Sequence, residues 1–245
     1  MKLSSRRARR VLLLLLSCGC ARGHTLDTMS ESTQVPITAS VRHDVTRLDG
    51  RRLSADSVER IVVRRMSEAQ VPALAMAVID HGEVAYMAGF GYRDVERRLP
   101  LTDTTVMYAA SLTKAMFAHL VMQLVDDGAI ALDTTIEAYL PKPLPSYEKY
   151  AELAGDARWK RITPRMLLSH TSGLPNWRFT NADGKLDIKS EPGTHFGYSG
   201  EGINLFQFVI EAHTGKDVGE MMQSRVFDRL GMRRTSMTWQ PSFES

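Results

Sequence analysis

The amino-acid sequence predicts an α/β (α+β) fold in which helices cover an antiparallel sheet. Two strand-like runs, Ala73–Asp80 and Glu83–Tyr92, flank the dipeptide His81-Gly82, which is the pattern of a β-hairpin. Segments with apolar residues at helical spacing lie on both sides of this hairpin. Because an isolated hairpin is only marginally stable, we expect these helices and any further strands to cover it.

Two helices are predicted in the first half of the chain. Ser54 is a good N-terminal cap for a helix that runs to about Ala69, with its apolar residues on one face. The strongest helix begins at Ser111 and ends at Gly128. It is apolar on most faces, so we expect it to be buried.

The second half adds mostly helices. The remaining predicted elements are a short helix at Pro164–Ser169, helices at Glu201–His213 and Asp217–Leu230, and a strand near Thr235–Trp239. Three strands are few for this number of helices. We therefore expect later strands to be missing, because the chain is a fragment or a truncated product.

Residues 1–20 have the pattern of a signal peptide. A basic head is followed by the apolar run Val11–Leu16 and by small residues, and six apolar residues are too few to span a bilayer. Leu15-Leu16-Ser17-Cys18 also resembles a bacterial lipobox, so Cys18 is a candidate for lipidation and for a membrane tether; an ordinary cleavage site is the alternative. We expect an exported protein, periplasmic or anchored to the envelope.

The rest of the chain is predicted to be a linker at 21–50 and one domain at 51–245. Five basic residues lie in the leader, which leaves 26 basic against 28 acidic residues and a net charge of −2. The overall excess of positive charge therefore gives no reason to expect a nucleic-acid partner. Both cysteines lie in the leader and no other cluster has metal-ligand spacing, so we expect no disulfide, metal or cofactor in the domain.

The pattern Ser-x-x-Lys occurs twice, and its context separates the two copies. Ser111 and Lys114 stand at the start of the long apolar helix, where residues three apart share a face. The helix N-terminus would favour negative charge on the serine oxygen, and burial would favour the neutral amine that can accept a proton. Ser146 and Lys149 follow a proline-rich stretch, which favours a surface serine and a solvated lysine.

Tyr198 is the third candidate for the site. It lies between a Glu-Pro-Gly turn and an apolar helix, and its hydroxyl could relay a proton if it lay near Lys114. The alternatives are a capping serine with a snorkelling lysine for the Ser111–Lys114 pair, and a core aromatic for Tyr198. His170 is more consistent with ordering a loop than with catalysis.

Three motifs together resemble the serine β-lactamase-related family, on the side of class C β-lactamases and penicillin-binding-protein-like hydrolases. They are Ser111-Leu-Thr-Lys114, the loop Leu167–Pro175 and the segment Gly197–Gly202, supported by Val78–Tyr92 and Leu230–Met237. The resemblance implies a β-lactamase/transpeptidase-like fold with a mainly helical insertion at about 133–230. It also implies an acyl-enzyme mechanism in which Ser111 is the nucleophile, Lys114 its activator and Tyr198 the general acid/base.

The sequence departs from this family in two places. Where the tyrosine motif often ends in asparagine, this chain has Gly200, which favours an esterase- or peptidase-like relative over a β-lactamase. The late Lys/His-x-Gly motif, which supplies an oxyanion-hole donor, is not found. His213-Thr214-Gly215 matches in letters, but it ends a helical run where Gly215 is a helix cap.

Two functions follow from the sequence. The first is a serine hydrolase that acts on amide or ester carbonyls of a small molecule or peptide. The second is a catalytically impaired protein that only binds peptidoglycan-like or β-lactam ligands. An α/β-hydrolase is disfavoured because Gly197-Tyr-Ser-Gly-Glu201 lacks the last glycine of the nucleophile elbow.

Overall fold

The computed structural model describes residues 35–243 and confirms the predicted α/β class. The predicted signal peptide, Cys18 and the linker up to residue 34 lie outside the described residues. The strands are β1 (Ile37–Arg42), β2 (Val45–Thr46), β3 (Arg52–Leu53), β4 (Ala73–Asp80), β5 (Glu83–Asp94) and β6 (Leu99–Pro100). The α-helices are α1 (Ala55–Glu68), α2 (Thr113–Asp126), α3 (Pro164–Leu168), α4 (Gly200–Thr214) and α5 (Val218–Met222).

The main sheet is antiparallel and has β5 at its centre. Strands β1 and β4 pair with β5 on either side, and the short strand β6 also pairs with β5. Strands β2 and β3 form a separate two-stranded ribbon. The predicted hairpin is confirmed, with His81 and Gly82 at positive φ in its turn.

Irregular helical turns connect the main helices. The 3₁₀ turns lie at Ala110–Leu112, Ile136–Tyr139, Leu144–Ser146, Glu148–Gly155, Ala157–Arg161, Arg178–Thr180 and Pro241–Phe243. A π-helical stretch, Gln223–Phe227, continues α5, so the helix predicted at Asp217–Leu230 changes its hydrogen-bonding pattern part of the way along. Among the helices of residues 35–243, none combines the length and apolar character that crossing a bilayer requires.

Two apolar clusters form the interior. In the first, Ala55, Val58 and Met66 of α1 pack on Tyr86 and Phe90 of the sheet. The second and larger cluster joins α2, α4 and α5 to the 3₁₀ turns between residues 136 and 161. Helices α2 and α4 therefore share one apolar core, and the candidate site lies at their N-termini.

The structure corrects two sequence predictions at the ends of the domain. Residues 37–42, assigned to the 21–50 linker, form β1 of the main sheet. The strand predicted near Thr235–Trp239 is absent from the described chain. There the Ser236 hydroxyl accepts hydrogen bonds from the Thr238 N–H and the Gln240 amide, and such local bonds compete with strand pairing.

Gly91 is required by a close approach of two chain segments. It has a φ of +75°, and a Cβ atom there would lie 2.0 Å from the Pro72 carbonyl oxygen. Gly82 has a similar φ of +82°, but nothing lies within 4 Å of a Cβ atom there. A side chain at Gly82 would cost only the free energy of positive φ, whereas one at Gly91 would add the cost of steric overlap.

We expect Gly82→Ala to lower the free energy of unfolding by about 1–2 kcal/mol, the cost of placing a side chain at positive φ. Gly91→Ala should cost a further ~1–3 kcal/mol, because the added methyl group overlaps backbone that cannot move freely. Urea unfolding followed by circular dichroism measures both values. Equal losses for the two variants would contradict the close approach at Gly91.

Candidate active site

Ser111 and Lys114 stand at the entrance to helix α2, in the geometry that their spacing predicts. Lys114 Nζ donates a hydrogen bond of 3.1 Å to Ser111 Oγ. The structure corrects two details. Ser111 lies in the 3₁₀ turn Ala110–Leu112 and α2 begins at Thr113; Ser111 is exposed and Lys114 half-buried, so the expected burial of the lysine is not found.

The backbone before Ser111 is strained. Ala110 has a φ of +45°, in the left-handed region that side chains other than glycine rarely adopt. Such conformations cost of order 1–3 kcal/mol and persist where surrounding structure enforces them. Here the strained residue precedes the serine whose hydroxyl receives the lysine hydrogen bond, so the strain lies in the turn that presents Ser111.

Tyr198 approaches Ser111 from a distant part of the chain. Its hydroxyl donates a hydrogen bond of 2.7 Å to Ser111 Oγ, and its ring centroid lies 5.1 Å from Lys114 Nζ. Tyr198 is 42% exposed, so the alternative of a core aromatic is wrong. The structure thus brings Lys114 and Tyr198, two of the three predicted site residues, to the hydroxyl oxygen of the third, Ser111.

Lys114 also changes the acidity of Tyr198. Hydrogen bonding to Lys114, then to Ser111, lowers the pKa of the Tyr198 phenol below its ordinary value. The positive charge of Lys114 lowers this pKa further. A phenol with a lowered pKa is more readily present as phenolate near neutral pH, which is the form that accepts a proton from a hydroxyl.

His170 orders the loop that carries Tyr198, as its sequence context favours. Its carbonyl oxygen accepts a hydrogen bond from the Gly197 N–H (2.8 Å), and its Nδ1 accepts one from the Ser199 N–H (3.1 Å). Burial, and then the charge of Lys114, lower the pKa of His170. The neutral ring is the form whose Nδ1 can accept the Ser199 hydrogen bond.

The Trp177 ring packs against Gly200 in this loop, a contact that the sequence did not predict. A Cβ atom on Gly200 would lie 2.6–2.8 Å from three atoms of the six-membered ring of Trp177. The indole edge therefore occupies the space of a side chain at position 200. Asn176 fixes the contact, because its Oδ1 accepts from the Gly200 N–H and its carbonyl oxygen from the Glu201 N–H.

An ion pair between the partly buried Arg178 and the buried Glu201 holds the segment next to Trp177. Arg178 donates to both carboxylate oxygens of Glu201, at 3.1 and 2.9 Å, and to the Lys149 carbonyl oxygen at 2.9 Å. Burial of Glu201 opposes its ionisation, but hydrogen bonds from Arg178 outweigh burial and lower the pKa of the carboxyl group. Glu201 is in the first turn of α4, where a negative charge is also favoured by the helix dipole.

The other sequence candidates lie apart from this cluster. Ser146 is exposed in a 3₁₀ turn, and Lys149 Nζ lies 5.6 Å from the centroid of the Tyr150 ring. Gly215 ends α4 in a left-handed conformation (φ +67°), which confirms that His213-Thr214-Gly215 is a helix end. Asn176, Trp177 and Arg178 directly follow the loop Leu167–Pro175, and that position was the available signal for them.

Comparison with known proteins identifies related families and folds. The family model described as Beta-lactamase matches residues 58–245. A D-aminopeptidase of Gluconobacter oxydans (strain 621H) is 28% identical over 168 residues, which are 66% of this chain and 32% of the relative. Protein flp of Staphylococcus aureus (strain N315) is 24% identical over 76% of this chain and 39% of its own length. The chain therefore spans about a third of the length of these relatives.

Solved structures support the same fold. An octameric penicillin-binding protein homologue from Pyrococcus abyssi is 28% identical, with a TM-score of 0.61 over 74% of this chain and 44% of its own. SurE, solved with D-Leu, is 29% identical, with a TM-score of 0.57 over 72% of this chain and 40% of its own. These similarities agree with the β-lactamase/transpeptidase-like fold that the motifs imply.

Proposed function

Because this chain belongs to the beta-lactamase family, whose model matches residues 58–245, we propose that it is a serine hydrolase that cleaves ester or amide bonds through an acyl-enzyme on Ser111. The observation that carries the proposal is the pair of hydrogen bonds that Ser111 Oγ receives from Lys114 and Tyr198. A hydroxyl with an adjacent proton acceptor and an adjacent cation is the arrangement of an activated nucleophile.

In the first half of the reaction, Ser111 Oγ attacks the carbonyl carbon of the substrate. Its proton passes to the Tyr198 phenolate, which Lys114 stabilises. The tetrahedral intermediate then expels the alcohol or amine, which takes the proton back from the Tyr198 hydroxyl. The product of this half is an ester between Ser111 and the acyl group. Tyr198 is a phenolate again, because it has given the leaving group the proton that it took from Ser111.

In the second half of the reaction, a water molecule hydrolyses the acyl-enzyme with the help of Tyr198 and Lys114. Tyr198 phenolate takes a proton from a water molecule, whose oxygen attacks the acyl-enzyme carbonyl carbon. Collapse of this second intermediate returns the proton to Ser111 Oγ and releases the acid. The hydrogen bond from Lys114 holds Ser111 Oγ in place, and the contact with Lys114 favours the phenolate form of Tyr198.

We expect the substrates to be esters or peptide-like amides rather than β-lactams. Gly200 has no side-chain amide to bind a substrate amide, and the edge of Trp177 fills that space. The similarity to a D-aminopeptidase, and to SurE in complex with D-Leu, favours a residue of D configuration beside the cleaved bond. Hydrolysis of D-alanine p-nitroanilide faster than its L enantiomer is the expected result, and a preference for the L form or for a penicillin would contradict it.

Labelling with a fluorophosphonate tests the nucleophile directly. We expect intact-mass spectrometry to show one adduct on the unmodified protein and none on Ser111→Ala. The Ser146→Ala variant, which removes the other Ser-x-x-Lys serine, is the matched control and should label like the parent. Tyr198→Phe should label about 10²–10⁴-fold more slowly, because it lacks the proton acceptor.

Two results would contradict the proposal. One is an adduct that survives in Ser111→Ala and disappears in Ser146→Ala. The other is an unlabelled parent protein that nevertheless binds a penicillin or a muropeptide reversibly, which would favour the binding-only function.

We also propose that the protein is exported and tethered to the envelope through Cys18. The basic head, the apolar run and the Leu-Leu-Ser-Cys sequence of the leader support this location. In a bacterial host, the parent protein should partition into detergent with the membrane fraction, and Cys18→Ala should not. Recovery of both proteins in the cytoplasm would contradict export.

A further inference from the structure

Two aromatic side chains, Trp177 and Phe179, lie beside the loop that carries Tyr198. Trp177 lies with its ring edge against Gly200, in the space that any side chain at position 200 would need. The Phe179 ring stacks parallel to Trp177, with an interplanar angle of 9° and centroids 6.0 Å apart. Phe179 is 72% exposed, so the outer part of this pair faces solvent.

The backbone at Ser199 places this aromatic pair on the same side of the chain as the candidate nucleophile. Ser199 is extended, with φ −130° and ψ 109°. In extended backbone, the residues before and after a given position project to the same side, and the central side chain to the opposite side. Tyr198 reaches Ser111 on one side, so the vacant Cβ direction of Gly200, filled by Trp177, points to that side as well.

Several polar groups of the loop are hydrogen-bonded within the chain. Ser199 Oγ donates to the Pro175 carbonyl oxygen and accepts from the Gly202 N–H, while Asn176 Oδ1 accepts from the Gly200 N–H. The Glu201 carboxylate is paired with Arg178. The Trp177–Phe179 pair therefore adds an aromatic surface next to Gly200, beside the exposed Asn176 amide.

We propose that Trp177 and Phe179 form an apolar subsite that selects substrates carrying an aromatic ring next to the scissile carbonyl. This assignment rests on the proposed hydrolase function of Ser111 and specifies the substrate class. Trp177 supplies the wall, because its edge lies against Gly200, and Phe179 extends that wall towards solvent. Arg178 is a positioning residue, because its bonds to Glu201 and Lys149 fix the segment between the two rings.

Binding of small amides to the Ser111→Ala protein tests the subsite without turnover. The probes are N-methylphenylacetamide, with the ring on the acyl side, N-benzylacetamide, with the ring on the amine side, and N-methylacetamide, with no ring. NMR titration gives each dissociation constant, and the indole N–H signal of Trp177 reports the location of binding. One aromatic amide should bind about five- to tenfold more tightly than N-methylacetamide, as expected for an added aromatic contact.

Variants of the two rings complete the test. In the Ser111→Ala background, Trp177→Ala should reduce the aromatic preference to less than about twofold. Phe179→Ala removes an exposed ring without disturbing the core and should reduce the preference in the same direction. Trp239→Ala is the matched control, because Trp239 is 65% exposed and packs on Phe243, and it should keep the full preference.

Three equal dissociation constants, or a preference that survives in both ring variants, would overturn the aromatic subsite. Failure of the hydrolase proposal would look different. In that case the unmodified protein would not react with fluorophosphonate, while the aromatic preference and its loss in Trp177→Ala would remain.

Discussion

The apolar cluster shared by α2, α4 and α5 determines whether the site exists. Phe117 of α2 and Phe206 of α4 meet edge to face, with ring centroids 5.8 Å apart, inside the larger apolar cluster. Ser111 stands just before α2 and Tyr198 just before the cap of α4. The hydrogen bond between their side chains spans 87 residues of sequence, so it forms only because the two helix N-termini are held side by side.

The second constraint is the loop that joins α3 to α4. His170 holds its Tyr198 end through Gly197 and Ser199, and Arg178 holds its Trp177 end through Glu201. Hydrogen bonding to Lys114 lowers the pKa of Tyr198, and burial followed by the charge of Lys114 lowers the pKa of His170. One lysine thus favours the base form of the tyrosine and the neutral form of the histidine that orients its loop.

The features that could be predicted from the sequence are local ones. The hairpin depends on a two-residue turn, the cap at Ser54 on a bond three residues away, and the Lys114–Ser111 bond on one helical turn. Strand β1 is the harder case: Ile37, Ala39 and Val41 alternate with polar residues, but the run is short and its partner lies about 50 residues away in β5. The Trp177–Gly200 contact is likewise non-local, and a glycine leaves no apolar signal for its partner.

The position of Tyr198 follows from the order of the sequence motifs together with a distance that only the structure gives. Spacing cannot place Tyr198 near Ser111, and the expectation came from the order of three motifs; the structure then gave the distance. Lys114 is less buried than the apolar character of α2 predicts. The apolar character of α2 is real, but its buried residues begin at Phe117, one turn beyond the lysine.

The ionisation of Tyr198 tests the cluster of Ser111, Lys114 and Tyr198. It is followed by NMR with carbon-labelled tyrosine, and the signal is assigned with Tyr198→Phe. We expect a pKa below that of an ordinary tyrosine, because hydrogen bonding to Lys114 and Ser111 favours the phenolate. Lys114→Met removes the ammonium and should raise this pKa, while Ser111→Ala should raise it less. An ordinary pKa for Tyr198 that does not change in Lys114→Met would contradict a shared cluster of serine, lysine and tyrosine.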